Sequence, residues 1–142
     1  MTSPAIQTRE LLISDYAEAV ALWEQVEGVE VAEGDLEHEI AAYLERNPGL
    51  SRVACDGHRI VGAVLCGHDG RRGWIYHLAV APSHRSRGLG KRLVDECLVA
   101  LRGEGIRRAI ILVAADNGAG RQFWRDNGWE ELPEAVAMAH DV

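Results

Sequence analysis

Apolar and polar residues alternate over residues 6–12 (IQTRELL), the period of a half-buried strand. The period then lengthens. Tyr16, Val20, Trp23 and Glu27 fall at helical spacing behind a loose capping box of Asp15 and Glu18, so a helix is expected over residues 15–26. Gly28 and Gly34 bracket an acidic loop. Leu36, Ile40, Tyr43 and Leu44 then share one face of a second helix, which Asp35 can cap and Asn47-Pro48-Gly49 ends. Residues 52–55 and 60–66 read as a hairpin around the Asp56-Gly57 turn. After a second turn (GHDGRRG), residues 74–80 (WIYHLAV) form another strand. Leu89, Leu93, Val94, Cys97, Leu98 and Leu101 repeat at helical spacing towards Gly103. Residues 109–114 read as a buried strand and 117–127 as a fourth helix ending at Gly128. Residues 129–132 and 135–139 read as two short strands around Pro133.

The resulting order is β-α-α-β-β-β-α-β-α-β-β, an α/β (α+β) arrangement with about six to seven strands and four helices. Its strand–helix–strand middle is a crossover unit, so residues 74–80 and 109–114 should be parallel neighbours in a mixed sheet. No repeat, linker or low-complexity tract interrupts residues 1–142, and a single domain with one core is expected.

Composition narrows the function classes. The chain is 47% hydrophobic and 26% charged, as globular proteins are. A net charge of −7 and a pI near 5.3 argue against nucleic-acid binding, which wants a basic face. They are compatible with a basic or amine substrate. The longest apolar run, AIILVAA at 109–115, is far shorter than the roughly 20 residues of a membrane span. The N-terminus (MTSPAIQTRELL) has neither a basic n-region nor an apolar h-region, so no signal peptide is expected and the expected location is cytoplasmic. Cys55, Cys66 and Cys97 make no CxxC pair and read as buried thiols in a reducing compartment. The six histidines, His38, His58, His68, His77, His84 and His140, make no HExxH or Cys/His cluster, and no metal site is expected.

Chemistry concentrates at residues 82–93 (PSHRSRGLGKRL), behind a strand and at the start of an amphipathic helix. A helix N-terminus offers free N–H groups and partial positive charge. Gly88 and Gly90 let the backbone approach an anion, and Arg85, Arg87, Lys91 and Arg92 add full charges. Together these describe a phosphate or diphosphate seat; the plainer reading is a solvated basic patch beside an ordinary turn. The loop is not a P-loop, since Arg92 follows Lys91 where serine or threonine is required. It is not a dinucleotide fingerprint either, since only one Gly-x-Gly is present.

Arg85-Ser-Arg-Gly88-Leu-Gly90 resembles the Arg/Gln-x-x-Gly-x-Gly/Ala loop of the GNAT superfamily of acetyl-CoA-dependent N-acetyltransferases. The preceding LAVAP is similar to that family's fourth strand. ADN followed by QFWRDNGW resembles the end of its fifth strand and the helix beyond, and the likeness is to the small single-domain bacterial branch. The resemblance implies a mixed, mostly antiparallel sheet with a parallel central pair. It also implies that the backbone of Leu78, Ala79 and Val80 holds the pantetheine arm and the thioester carbonyl. Arg85, Ser86, Arg87, Gly88, Leu89, Gly90 and Lys91 would wrap the diphosphate, and Asn117 would contact the coenzyme arm. The implied acceptor is a primary amine, on a small molecule or on a protein N-terminus or lysine. It would enter between the first two helices and the late hairpin. The resemblance leaves room for a homodimer.

Two positions depart from the family pattern. Where a tyrosine usually protonates the departing thiolate, this chain has Trp124, whose indole N–H is no acid in this range. A thiol with a pKa of about 8.5 leaves readily without one, and Trp124 then packs against the pantetheine or is a core aromatic. Neither central strand carries a glutamate base. The candidates are His77, Tyr76, and Glu24, Glu27 or Glu30 acting directly or through water. Strand alternation sends Tyr76 and His77 to opposite faces, so one of them is expected to face the cleft. His77 as an ordinary structural histidine and the glutamates as surface charges are the plainer readings. None of the cysteines falls on the motifs, which favours direct attack by the amine over an acyl-enzyme. A CoA-binding module without catalysis is the alternative class.

Overall fold

The computed structural model describes residues 5–26 and 28–142. Two compact units emerge, one up to Leu112 and one over Val113–Val142.

In the first unit the most continuously apolar strand becomes the middle of the sheet. Strand β3 (Arg59–His68) is buried from Ile60 to Gly67, on both faces, which explains why its apolar residues do not alternate. It pairs antiparallel with β2 (Arg52–Asp56) on one side and β4 (Gly73–Val80) on the other. Strand β1 (Gln7–Glu10) adds antiparallel to β2, and β5 (Ala109–Ile111) adds parallel to β4. The order is β1-β2-β3-β4-β5. The parallel pair is the one the crossover required. It is bridged by α3 (Leu89–Gly103), whose buried stripe of Leu89, Leu93, Val94, Cys97 and Leu101 is the periodicity read above. Contact with β4 is close: a Cβ on Gly73 would sit 2.5 Å from Leu101 Cδ1, so only glycine fits there.

The first two helices are α1 (Tyr16–Gln25) and α2 (Glu37–Arg46). Their caps differ from expectation. Asp15 makes no cap hydrogen bond to α1; its carboxylate accepts the Leu12 N–H and pairs with Arg9 at 2.7 Å. Glu18 instead accepts the Ile60 N–H at 2.9 Å, tying α1 to β3. At α2 the N-cap is Leu36, whose N–H goes to Glu39. Asp35 lies outside the helix, with its carboxylate turned elsewhere.

Strand β4 carries the largest departure from a regular ladder. Leu65 pairs with Tyr76 and Ala63 with Ala79, so two steps on β3 match three on β4. The extra residue is accommodated by His77, which takes φ +54°. Such a bulge breaks side-chain alternation and re-aims a residue. The expectation that Tyr76 and His77 must point to opposite faces is corrected accordingly, because it assumed an unbroken pleat.

Within the second unit, α4 (Gly118–Asp126) begins at Asn117, whose side-chain oxygen accepts the Gly120 N–H at 3.0 Å. Trp124 stacks edge-on against Trp129 (5.0 Å) and Phe123 (5.2 Å), and Arg121 and Arg125 both grip Glu131. The two late strands expected at 129–132 and 135–139 are absent: among the described residues the sheet has the five strands above. Alternation there is real, but Val136 and Met138 are exposed, and a strand needs a neighbour to satisfy its backbone. No described helix is long and apolar enough to cross a membrane.

Candidate active site

The loop after β4 is built from its first residue. Ala81 N–H bonds to Val61 O, and Pro82–His84 makes a 3₁₀ turn. The His84 imidazole is buried, held by Ser83 Oγ at 2.7 Å and by Asp56 Oδ2 at 2.8 Å. This histidine anchors the turn to the end of β2 and so fixes where the next residues start. Ser86 then takes φ +64° and Gly88 φ +75°, and α3 begins. Ser86 and His77 are the two described non-glycine residues with positive φ. Positive φ at Ser86 and Gly88 bends the chain directly into the N-terminus of α3, whose first N–H groups have no helical partner and suit an anion. Residues 85–88 are exposed, so the turn faces solvent.

The four cations of the motif do not all face it. Lys91 pairs with Asp95 at 2.5 Å. Arg92 reaches Glu96 and the Ile6 carbonyl. Arg85 donates to the Val80 carbonyl at 3.4 Å, and Arg87 makes no hydrogen bond or ion pair among the described residues. Arg85 and Arg87 therefore carry the charge available at the turn. An open groove of about 670 Å³ runs beside Thr8, Arg52, Arg92, Glu96 and Val99 along α3. Its ion pairs, Arg52–Glu96 and Arg92–Glu96, are satisfied within the groove, leaving little to recruit a ligand.

Next to the turn the sheet opens. Pairing of β4 with β5 covers Gly73–Ile75 only, whereas pairing with β3 continues to Val80. Within this unit the β5-side edge of residues 76–80 therefore has no strand partner. An edge with free N–H and C=O groups accepts an extended ligand as an added strand. Leu78 and Val80 are half-buried and Ala79 fully buried, so the backbone there is held firmly.

His77 sits at the mouth of this gap. Its Nε2 lies 2.9 Å from Asp35 Oδ2 and its ring centroid 5.1 Å from that of the fully buried Trp23. The side chain keeps 17% of its surface exposed, enough to meet a substrate atom. Tyr76 is exposed and stacks on Trp74 at 6.3 Å, with Tyr43 edge-on at 6.5 Å. Burial holds both tyrosine hydroxyls protonated, raising each above its ordinary range. These rings, with Asn47, Gly67 and Asp69, line a pocket of about 200 Å³. Glu24 and Glu30 are exposed and make no hydrogen bond among the described residues; Glu27 lies outside the described residues. No cluster of three metal-ligating side chains occurs among the described residues.

The contact between Asp35 and His77 was not anticipated from the sequence. The signal was present and misread: an aspartate just ahead of a helix looks like its N-cap. In the second unit, Asn117 spends its side-chain oxygen on the α4 cap and Trp124 packs among its own unit's aromatics.

A strand that parts from its parallel neighbour, a bulge at the parting point and a left-handed turn into the next helix form a coherent set. The acetyltransferase (GNAT) family model matches residues 12–129. The chain belongs to the GNAT family. An acetyltransferase of Yersinia enterocolitica is 36% identical over 106 residues, 75% of this chain and 74% of that one. The fold is shared with a Clostridium acetobutylicum acetyltransferase crystallised with acetyl-CoA, at a TM-score of 0.76 and 16% identity over 95% of this chain and 96% of that one. It is shared also with the ribosomal-protein-S18-alanine N-acetyltransferase of Escherichia coli, at 0.74 and 18% identity over 90% and 79%. This GNAT chain is thus an acetyltransferase. Its departures from the family pattern, Trp124 and the missing strand glutamate, shift attention to His77.

Proposed function

We propose that this chain transfers acetyl from acetyl-CoA to a primary amine by direct attack, with His77 as the base. The observation that carries the reading is the juxtaposition of the open β4 edge, at residues 76–80, with the left-handed turn at Ser86 and Gly88. The coenzyme fits this geometry: the turn and the N-terminus of α3 suit a diphosphate, and the free edge suits the amide-bearing pantetheine arm. When bound, it supplies an acetyl thioester.

The chain's own groups do the rest. Backbone N–H groups of β4 polarise the thioester oxygen, a role that needs fixed dipoles rather than a mobile side chain. The neutral amine, a minority species at pH 7 when its pKa is about 10, is captured as its proton passes to His77. Its nitrogen bonds to the acetyl carbon, and the carbon–sulfur bond breaks. Sulfur leaves as thiolate and takes a proton from water, so no tyrosine at position 124 is needed. Positioning contributes most of the acceleration. The acceptor is a small-molecule, protein N-terminal or lysine amine. One functional domain over 1–142 acting in the cytoplasm is consistent with three free, buried cysteines.

The test is thiol release from acetyl-CoA against a panel of amines comprising polyamines, aminoglycosides, amino acids and peptides with free N-termini. Amine-dependent release from at least one class is the expected outcome. Tight coenzyme binding with no release from any amine would overturn the catalytic reading.

A further inference from the structure

His77 adopts a costly backbone conformation and directs one ring nitrogen at a carboxylate. We infer that Asp35 is a positioning residue for His77: it fixes the imidazole as the Nε2–H tautomer and leaves Nδ1 as the atom that takes the amine's proton. The inference rests on His77 serving as the base, and it adds a residue from outside the sheet to that chemistry.

The geometry supports it at three levels. The contact is direct, Nε2 to Asp35 Oδ2 at 2.9 Å, with both side chains largely withdrawn from water, 17% and 12% exposed. Among the described residues Nδ1 makes no hydrogen bond. Since a neutral imidazole carries one N–H, a carboxylate on Nε2 places the proton there and leaves the lone pair on Nδ1.

Asp35 is itself held. Its N–H donates to the Ala32 carbonyl, its Oδ2 also accepts the Ala32 N–H at 3.0 Å, and its carbonyl accepts the Tyr16 hydroxyl at 2.6 Å. An aspartate held by two main-chain bonds and one carboxylate bond, within its loop and to α1, has little freedom to swing away, as an orienting group requires. The Tyr16 hydroxyl stays protonated, raised by burial and then by the nearby Glu37, Asp35, Glu24 and Glu39 charges, so the tether persists across the working range.

The backbone supplies the third level. A non-glycine residue at φ +54° is held there by its surroundings, and such residues cluster at functional sites. Without the bulge, residue 77 would follow the pleat. With it, the ring lies against Trp23 and meets Asp35. In the proton transfer Nδ1 gains the proton lost by the attacking nitrogen, Nε2 keeps its own, and Asp35 stays ionised beside the imidazolium.

The decisive variant is Asp35→Ser. Its hydroxyl is one bond shorter than the carboxylate and does not reach Nε2, while the main-chain bonds of residue 35 to the Ala32 carbonyl and the Tyr16 hydroxyl are kept. Imidazole ¹⁵N shifts of the whole protein should report the Nε2–H tautomer in the wild type and in Asp35→Asn, whose oxygen can still accept. They should report a tautomer mixture in Asp35→Ser. The kcat should fall about 100-fold in Asp35→Ser, within the range seen for orienting partners of histidines, with acetyl-CoA affinity unchanged. In a His77→Asn background the same change should cost nothing further. An unaltered tautomer in Asp35→Ser, or an undiminished penalty without His77, overturns the inference. Failure of the base assignment is separable: His77→Asn would then keep full kcat, while the ¹⁵N shifts still decide whether Asp35 sets the tautomer.

Discussion

A His77→Asn variant is expected to turn over about 10²–10⁴ times more slowly than the wild type while binding acetyl-CoA as tightly. Asparagine is the informative replacement because it tolerates the left-handed backbone that residue 77 requires, so the bulge survives and only the imidazole is lost. Alanine would mix loss of the base with strain relief or strand rearrangement. The size of the effect follows from the amine. At pH 7 an acceptor with a pKa near 10 is about 99.9% protonated. The proton that leaves nitrogen during attack also finds no carboxylate on β4 or β5. Raising the pH should recover part of the rate in the variant, because hydroxide then takes over the removal. Steady-state kinetics from pH 6 to 10, with coenzyme affinity measured separately, checks this. A variant within threefold of the wild type at every pH would mean that His77 is structural.

An Arg87→Glu variant is expected to bind acetyl-CoA roughly 30- to 1000-fold more weakly. Arg87 has no partner among the described residues, so nothing inside the protein is lost on replacement, and folding stability should move little. What changes is two units of charge at a turn proposed to receive a diphosphate, an effect of several kcal/mol at an effective dielectric of about 20. The loss should shrink as salt rises, since the site is open to solvent. Lys91→Glu should weaken binding less, because Lys91 is already committed to Asp95. Titration calorimetry at two ionic strengths distinguishes these outcomes. Equal losses at positions 87 and 91 would contradict the assignment of charge at the turn.

The sequence made the frame legible and left its irregularities hidden, for physical reasons. The stripe from Leu89 to Leu101 announced α3, and helical periodicity is local. The parallel pairing of β4 with β5 followed from the crossover rule. The left-handed turn could be anticipated because glycine at 88 signals φ above zero. The bulge could not be. It exists only as a mismatch between two strands, Leu65 against Tyr76 and Ala63 against Ala79, and neither strand alone records the register. Asp35 was hidden by a stronger local signal, the N-cap pattern, which tertiary contact with His77 overrode. Glu18 was misread in the same way, since an isolated segment cannot show that Ile60 N–H waits across the fold. The two late strands were over-read because alternation is necessary for an edge strand but does not supply its partner.

The most direct measurement is a crystal structure of the protein with acetyl-CoA. The diphosphate oxygens should accept hydrogen bonds from main-chain N–H groups between Ser86 and Lys91, with Arg87 alongside. The pantetheine arm should run along the free edge of residues 76–80, bringing the acetyl carbon beside His77 Nδ1. A diphosphate bound elsewhere, with the 86–91 turn untouched, would contradict the account at its root.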